Sequence, residues 1–127
     1  MRLLIPAILA LTACSPALDW RDVRPEDSGA VAVFPCKPTS HARKVRLADG
    51  EVLLTLHACT AADVTWALAS ADVADPTRVG PALEELRRSA ADNIGARDPK
   101  PLPLTVAGST PNPQAGRIAL AGRRGDG

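Results

Sequence analysis

Between residues 30 and 70 apolar and polar positions alternate in short stretches, and from Val79 the spacing changes to three and four. A period of two marks a half-buried strand, and a period near 3.6 marks an amphipathic helix. The first predicted strand covers residues 30–34 and is closed by Pro35, while the next, 44–47, is apolar at Val45 and Leu47 only. Asp49-Gly50 then signals a hairpin, because a type I′ turn needs positive φ at both central residues, which Asp tolerates and Gly adopts freely. The return strand is 52–59, with Val52, Leu54, Leu56 and Ala58 on the core side and Leu53, Thr55, His57 and Cys59 on the other. Thr60-Ala61-Ala62-Asp63 makes a second tight connection, after which Val64, Trp66 and Leu68 alternate with Thr65, Ala67 and Ala69. The pattern predicts an antiparallel meander in which the Trp66 indole is the largest buried group.

Val79, Leu83, Leu86, Ala90 and Ile94 form one helical stripe, and Glu84, Glu85, Arg87, Arg88 and Asp92 take the opposite face. Pro81 suits the first turn, Glu84 and Arg88 are spaced as an i,i+4 pair, and Gly95 is placed to stop the helix. Asp75-Pro76 starts a separate turn, since Pro81 would clash inside a helix begun at Pro76. Residues 97–114 hold five prolines, which leaves 104–107 as a brief edge strand. Residues 117–121 alternate again, with Ile118 and Leu120 inward, and then the chain has no residues with which to return along a sheet. That C-terminal strand reads as unfinished, with an open edge that a partner or a longer chain would complete. The fold class expected is α+β, an antiparallel sheet with one amphipathic helix on a face.

Composition makes the core thin. Apolar residues are 46% of the chain, but Phe34, Trp20 and Trp66 are its only aromatic side chains. Large aromatic groups supply much of the buried area in small domains, so a cross-link is needed in their place. Residues 15–29, with Pro16, Pro25, Asp19, Asp22, Asp27 and Glu26, lack strand or helix period and read as a tether, on which Trp20 is the one large anchor. Formal charge is nearly balanced, at 15 Lys and Arg against 14 Asp and Glu. Scattered and balanced charges lack the basic footprint that phosphate backbones require, so nucleic acid is not an expected partner.

The N-terminus has an address. Met1-Arg2 is a short positive region, residues 3–11 are a nine-residue apolar run, and Leu11-Thr12-Ala13-Cys14 closes it. Nine residues span too little for a transmembrane helix, which needs about 20, so the segment reads as an export signal that is removed. Leu11-Thr12-Ala13-Cys14 resembles the lipobox of bacterial lipoproteins. That resemblance implies diacylglyceryl transfer to the Cys14 thiol, cleavage of residues 1–13, and acylation of the new amine. It further implies a cell-envelope protein held on a membrane through lipid on Cys14, with Ser15 favouring the outer membrane. Each buried methylene contributes about 0.8 kcal/mol, so two or three chains convert marginal binding into stable anchoring. The organisation expected is therefore signal peptide 1–13, tether 14–29, one domain over 30–122 and a polar tail 123–127.

Cys36 and Cys59 are the cysteines that remain after lipidation, and an oxidising compartment favours a disulfide between them. The competing arrangement is a zinc site from Cys36, His41, His57 and Cys59, because His57 and Cys59 share a strand face and the ligand types suit zinc. Its spacing matches no standard zinc signature. Ser40-His41 with Asp49 holds the residue types of a hydrolytic triad but lacks a nucleophile elbow. Arg124-Gly125-Asp126 spells an adhesion tripeptide whose composition equally suits a turn. No catalytic residue and no cofactor is therefore expected.

The Phe34-Pro35-Cys36-Lys37-Pro38 strand exit, the meander and the later helix resemble small bacterial envelope lipoproteins and the PsbP type of α/β sandwich. The resemblance lies in the order of elements and carries no catalytic residue. The expected function is a membrane-anchored accessory or binding protein, with an envelope protein as partner. The alternative is a small envelope enzyme or metal-binding protein that uses Cys36, His57 and Cys59.

Overall fold

A computed structural model of the chain describes residues 17–125. The signal segment, Cys14, Ser15 and Pro16, and Asp126 with Gly127, lie outside the described residues. The architecture is α+β: strands β1 (Arg21–Val23), β2 (Ala32–Phe34), β3 (Thr39–Leu47), β4 (Gly50–Ala61) and β5 (Val64–Ser70), then helix α1 (Val79–Asn93), then β6 (Lys100–Leu102) and β7 (Arg117–Ala119). The strands form a β1-β2 ribbon, a β3-β4-β5 sheet and a β6-β7 ribbon. The described chain divides into two compact units, one containing the residues up to Ser40 with His57–Leu68, the other His41–Leu56 with the residues from Ala69 onward.

In the first unit, β1 and β2 pair antiparallel, with Arg21 opposite Phe34 and Val23 opposite Ala32. Strand β1 lies in the stretch read as an irregular tether. Its three residues are too few to show alternation, and its partner β2 supplies the pattern that it lacks. The Asp19 N–H donates to the Pro35 carbonyl at 2.8 Å, which continues the alignment one step before the strand. Phe34 and Pro35 are buried, and burying a side chain the size of Phe34 contributes about 2–3 kcal/mol. The β4–β5 turn is Ala62-Asp63, both in the left-handed region at φ 49° and 62°. Across it the Thr60 and Thr65 hydroxyls lie 3.0 Å apart. Trp66, expected inside, is 37% exposed.

The second unit is built on Leu47, Val52 and Ala82, with Val45, Ala48 and Val73 packed against them. Its hairpin turn differs by one residue from the expectation. The left-handed positions are Ala48 (φ 49°) and Asp49 (φ 60°), and Gly50 already belongs to β4. A Cβ at position 50 would fall on the Arg78 guanidinium, so any side chain there would displace it. Arg78 donates through Nη2 to the Leu47 carbonyl at 2.9 Å, through Nε to Ala48 at 3.0 Å and through Nη1 to Val73 at 3.0 Å. The Ala48 N–H in turn donates to the Glu85 carboxylate at 2.9 Å. A left-handed alanine costs about 1–2 kcal/mol relative to the right-handed conformation, and these contacts hold it from both sides.

Those contacts also account for the rotation of α1 relative to its apolar stripe. Ala82 is buried, Val79, Leu83, Glu85 and Arg87 are half-buried, and Leu86 and Ala90 are exposed. Glu85 faces the turn, and Arg87 donates to the Gln114 carbonyl and Oε1 at 2.8 and 2.9 Å. The apolar stripe alone places both on the solvent face. Ion pairs among the described residues are Arg21–Asp19 and Lys44–Glu51, so Glu84 and Arg88 do not close theirs. The helix is preceded by a 3-10 turn, Pro76–Arg78, and ends where expected. Gly95 has φ 62°, its N–H donates to Asp92 at 3.1 Å and that of Ala96 to Ala91 at 2.9 Å, a Schellman stop.

The C-terminal strand is paired after all. β7 runs antiparallel to β6, with Pro101 opposite Ile118, while the expected strand at 104–107 is absent and those residues are exposed. No described helix is long and apolar enough to cross a membrane.

Candidate functional site

The first unit holds three of the residues singled out for chemistry, Cys36, His57 and Cys59, whereas His41 belongs to the second. Cys36, just past β2, and Cys59, on β4, are joined as a disulfide with their Cα atoms 6.0 Å apart. Both sulfurs are thereby taken from the zinc arrangement, and among the described residues no three His, Cys, Asp or Glu gather as a metal site. A shallow depression of about 420 Å³ lies over the bridge, lined by Lys37, Thr39, Thr60 and Thr65. It offers one cation and several hydroxyls, but no acid–base pair. His57 is half-buried on β4, and its Nε2 is enclosed without a hydrogen-bond partner among the described residues.

The triad residue types do not assemble. Ser40 and His41 are consecutive on β3, so their side chains leave opposite faces. Asp49 sits exposed in the hairpin turn. Arg124 and Gly125 are exposed, and Asp126 lies outside the described residues, as does Cys14.

What the sequence did not reveal is a pairing of the two tryptophans. Trp20, immediately before β1, and Trp66, on β5, meet edge to face with ring centroids 5.6 Å apart and planes at 80°. Such a pair contributes about 0.5–1.5 kcal/mol beyond area burial. Both rings remain open to solvent, Trp20 at 52% and Trp66 at 37%. The β1-β2 ribbon and the Asp19–Pro35 hydrogen bond bring Trp20 to this position. The available clue was the β-strand alternation that puts Val64 and Trp66 on one face; the tether gave no register for Trp20.

In the second unit, a depression of about 740 Å³ is lined by residues of 104–115, among them Leu104, Val106 and Asn112, and has no titratable side chain. A neighbouring one of about 440 Å³ includes Asp72 and Asp75. Asp75 is committed to the 3-10 turn. Its carboxylate accepts from the Thr77 hydroxyl at 2.7 Å and the Thr77 N–H at 2.9 Å. Those two hydrogen bonds, with Arg78 alongside, hold its carboxyl below the usual aspartate range. No family model, curated protein or solved structure matches the chain.

Proposed function

We propose that the protein is a lipid-anchored lipoprotein of the bacterial cell envelope, acting as an accessory or binding module rather than as a catalyst. The observation that carries this reading is the lipobox, Leu11-Thr12-Ala13-Cys14, at the close of a nine-residue apolar run. Lipid on Cys14 holds the body beside a bilayer, and Ser15 directs it to the periplasmic face of the outer membrane. The balanced charge and the openness of the depressions favour a protein partner over a small-molecule substrate. The test is metabolic labelling of the full-length protein in a bacterial host with palmitate. The wild type takes up label and fractionates with membranes, and Cys14→Ser loses both. Label or membrane retention that survives in Cys14→Ser overturns the reading.

A further inference from the structure

The Trp20–Trp66 pair stands out because it reverses the usual placement of large apolar groups. These are the chain's two tryptophans, they touch, and they leave more of their surface in water than Phe34, Leu47 or Val52. The exposed surface extends beyond the rings. Val64 lies two residues before Trp66 on the same face of β5 and is 49% exposed, and Leu18, on the approach to Trp20, is 38% exposed. Of the charges that flank this surface in sequence, Arg21 pairs with Asp19, while Asp22 and Asp63 stay exposed to solvent. An apolar surface that carries two indoles has a hydrocarbon body with polar N–H tips, which suits the boundary between headgroups and acyl chains.

Chain length says which surface lies within reach. Trp20 follows Cys14 by six residues, and an extended chain advances at most about 3.6 Å per residue, so the two Cα atoms are within roughly 22 Å of each other. A bilayer with its headgroup regions is about 40–45 Å thick. A cysteine held at that surface keeps Trp20 within half a bilayer thickness of it at all times. That tether raises the effective concentration of the interface around the pair far above that of any freely diffusing partner.

We infer that Trp20 and Trp66, with Val64 and Leu18, form a bilayer-contact surface that seats the first unit in the headgroup region beside its own lipid anchor. The inference rests on the lipoprotein reading, because without Cys14 acylation nothing holds this surface near lipid. Once anchored, the pair lies with its indole N–H groups at the ester level, and the β5 face turns toward the membrane. The occupant is a lipid surface, with no demand for anionic headgroups.

The chain is suited to a direct test because it has no Tyr and its two tryptophans dominate its fluorescence. Acylated mature protein, beginning at Cys14, is reconstituted into phosphatidylcholine vesicles whose acyl chains carry bromine at either a shallow or a deep position. The expected result is a blue-shifted emission and quenching that is at least twofold stronger with shallow bromine. Trp20→Phe and Trp66→Phe, which keep an aromatic ring in the pair, should each leave a single indole that is still quenched. Co-sedimentation of the wild type with vesicles without quenching overturns the inference alone, whether the rings stay in water or are covered by a second protein. Failure to co-sediment overturns the lipoprotein reading and this inference with it.

Discussion

Gly50 and Arg78 show how a single position can carry a meaning that its residue type only half reveals. Asp-Gly does announce the hairpin, yet the glycine is not one of its left-handed residues. Ala48 and Asp49 take that conformation, and Gly50 leaves room for the guanidinium that caps the turn. A glycine in a strand interior is ordinarily a weak point, and replacing it with alanine usually helps by about 0.5–1 kcal/mol. Here the sign should reverse. Gly50→Ala displaces Arg78 from the carbonyls of Leu47, Ala48 and Val73, and should cost roughly 2 kcal/mol. In an Arg78→Ala background the same change should be neutral or slightly stabilising. Denaturant unfolding of the four proteins measures the coupling, and additive effects would show that Gly50 serves the turn by its conformation alone.

Elements are where patterning succeeds for one reason and fails for another. The helix from Val79, the separate Pro76 turn before it and its Gly95 stop follow from local chemistry and could be read directly from the sequence. Its buried face could not, because hydrophobicity ranks Leu86 above Glu85, whereas Glu85 turns inward to accept from the Ala48 N–H. Strand β4 breaks its own alternation for a related reason. Val52 and Leu54 point inward as expected, but Leu56 is 40% exposed and the half-buried residues after it are His57, Ala58 and Cys59. The strand passes from one compact unit to the other at that point, so a single phase does not serve its whole length. The start of the helical segment gives a pH signature. Hydrogen bonds from Thr77 depress the Asp75 carboxyl in the folded state, so its stabilising contribution is complete above the unfolded aspartate value, about 3.9. It is lost as pH falls through the lower folded value. Asp75→Ala should therefore melt below the wild type at neutral pH, with the gap narrowing as pH falls below the ordinary aspartate range. A gap independent of pH in thermal unfolding would show that the charge on Asp75 contributes nothing.

Across the described residues, few side chains are well buried: Phe34, Leu47, Val52 and Ala82, with Pro25 and Pro35. The scarcity of aromatic residues made a thin core legible, but it did not reveal that the two largest side chains would be left at the surface. Each compact unit must be held with little apolar area, and they use different means. The second is fastened by Arg78 and Glu85 around its hairpin turn, whereas the first has the Phe34–Pro35 core and the Cys36–Cys59 bridge, across a sequence separation of 23. In the chain-entropy account a loop of that length restricts the unfolded chain by about 3 kcal/mol, a large part of the 5–15 kcal/mol typical of a whole domain. Reductant should therefore lower stability by roughly that amount, and Cys36→Ser/Cys59→Ser should sit at the reduced wild-type value with no further response to reductant. Hydrogen exchange should locate the loss, with amides of 57–60 and 32–36 opening before those of 47–52, since the latter are held by the Leu47–Val52–Ala82 cluster and the Arg78 contacts. Loss of protection at the same rate in both segments would mean that the bridge supports the molecule as one cooperative unit; insensitivity of the wild type to reductant would mean that the sulfurs are not joined in solution.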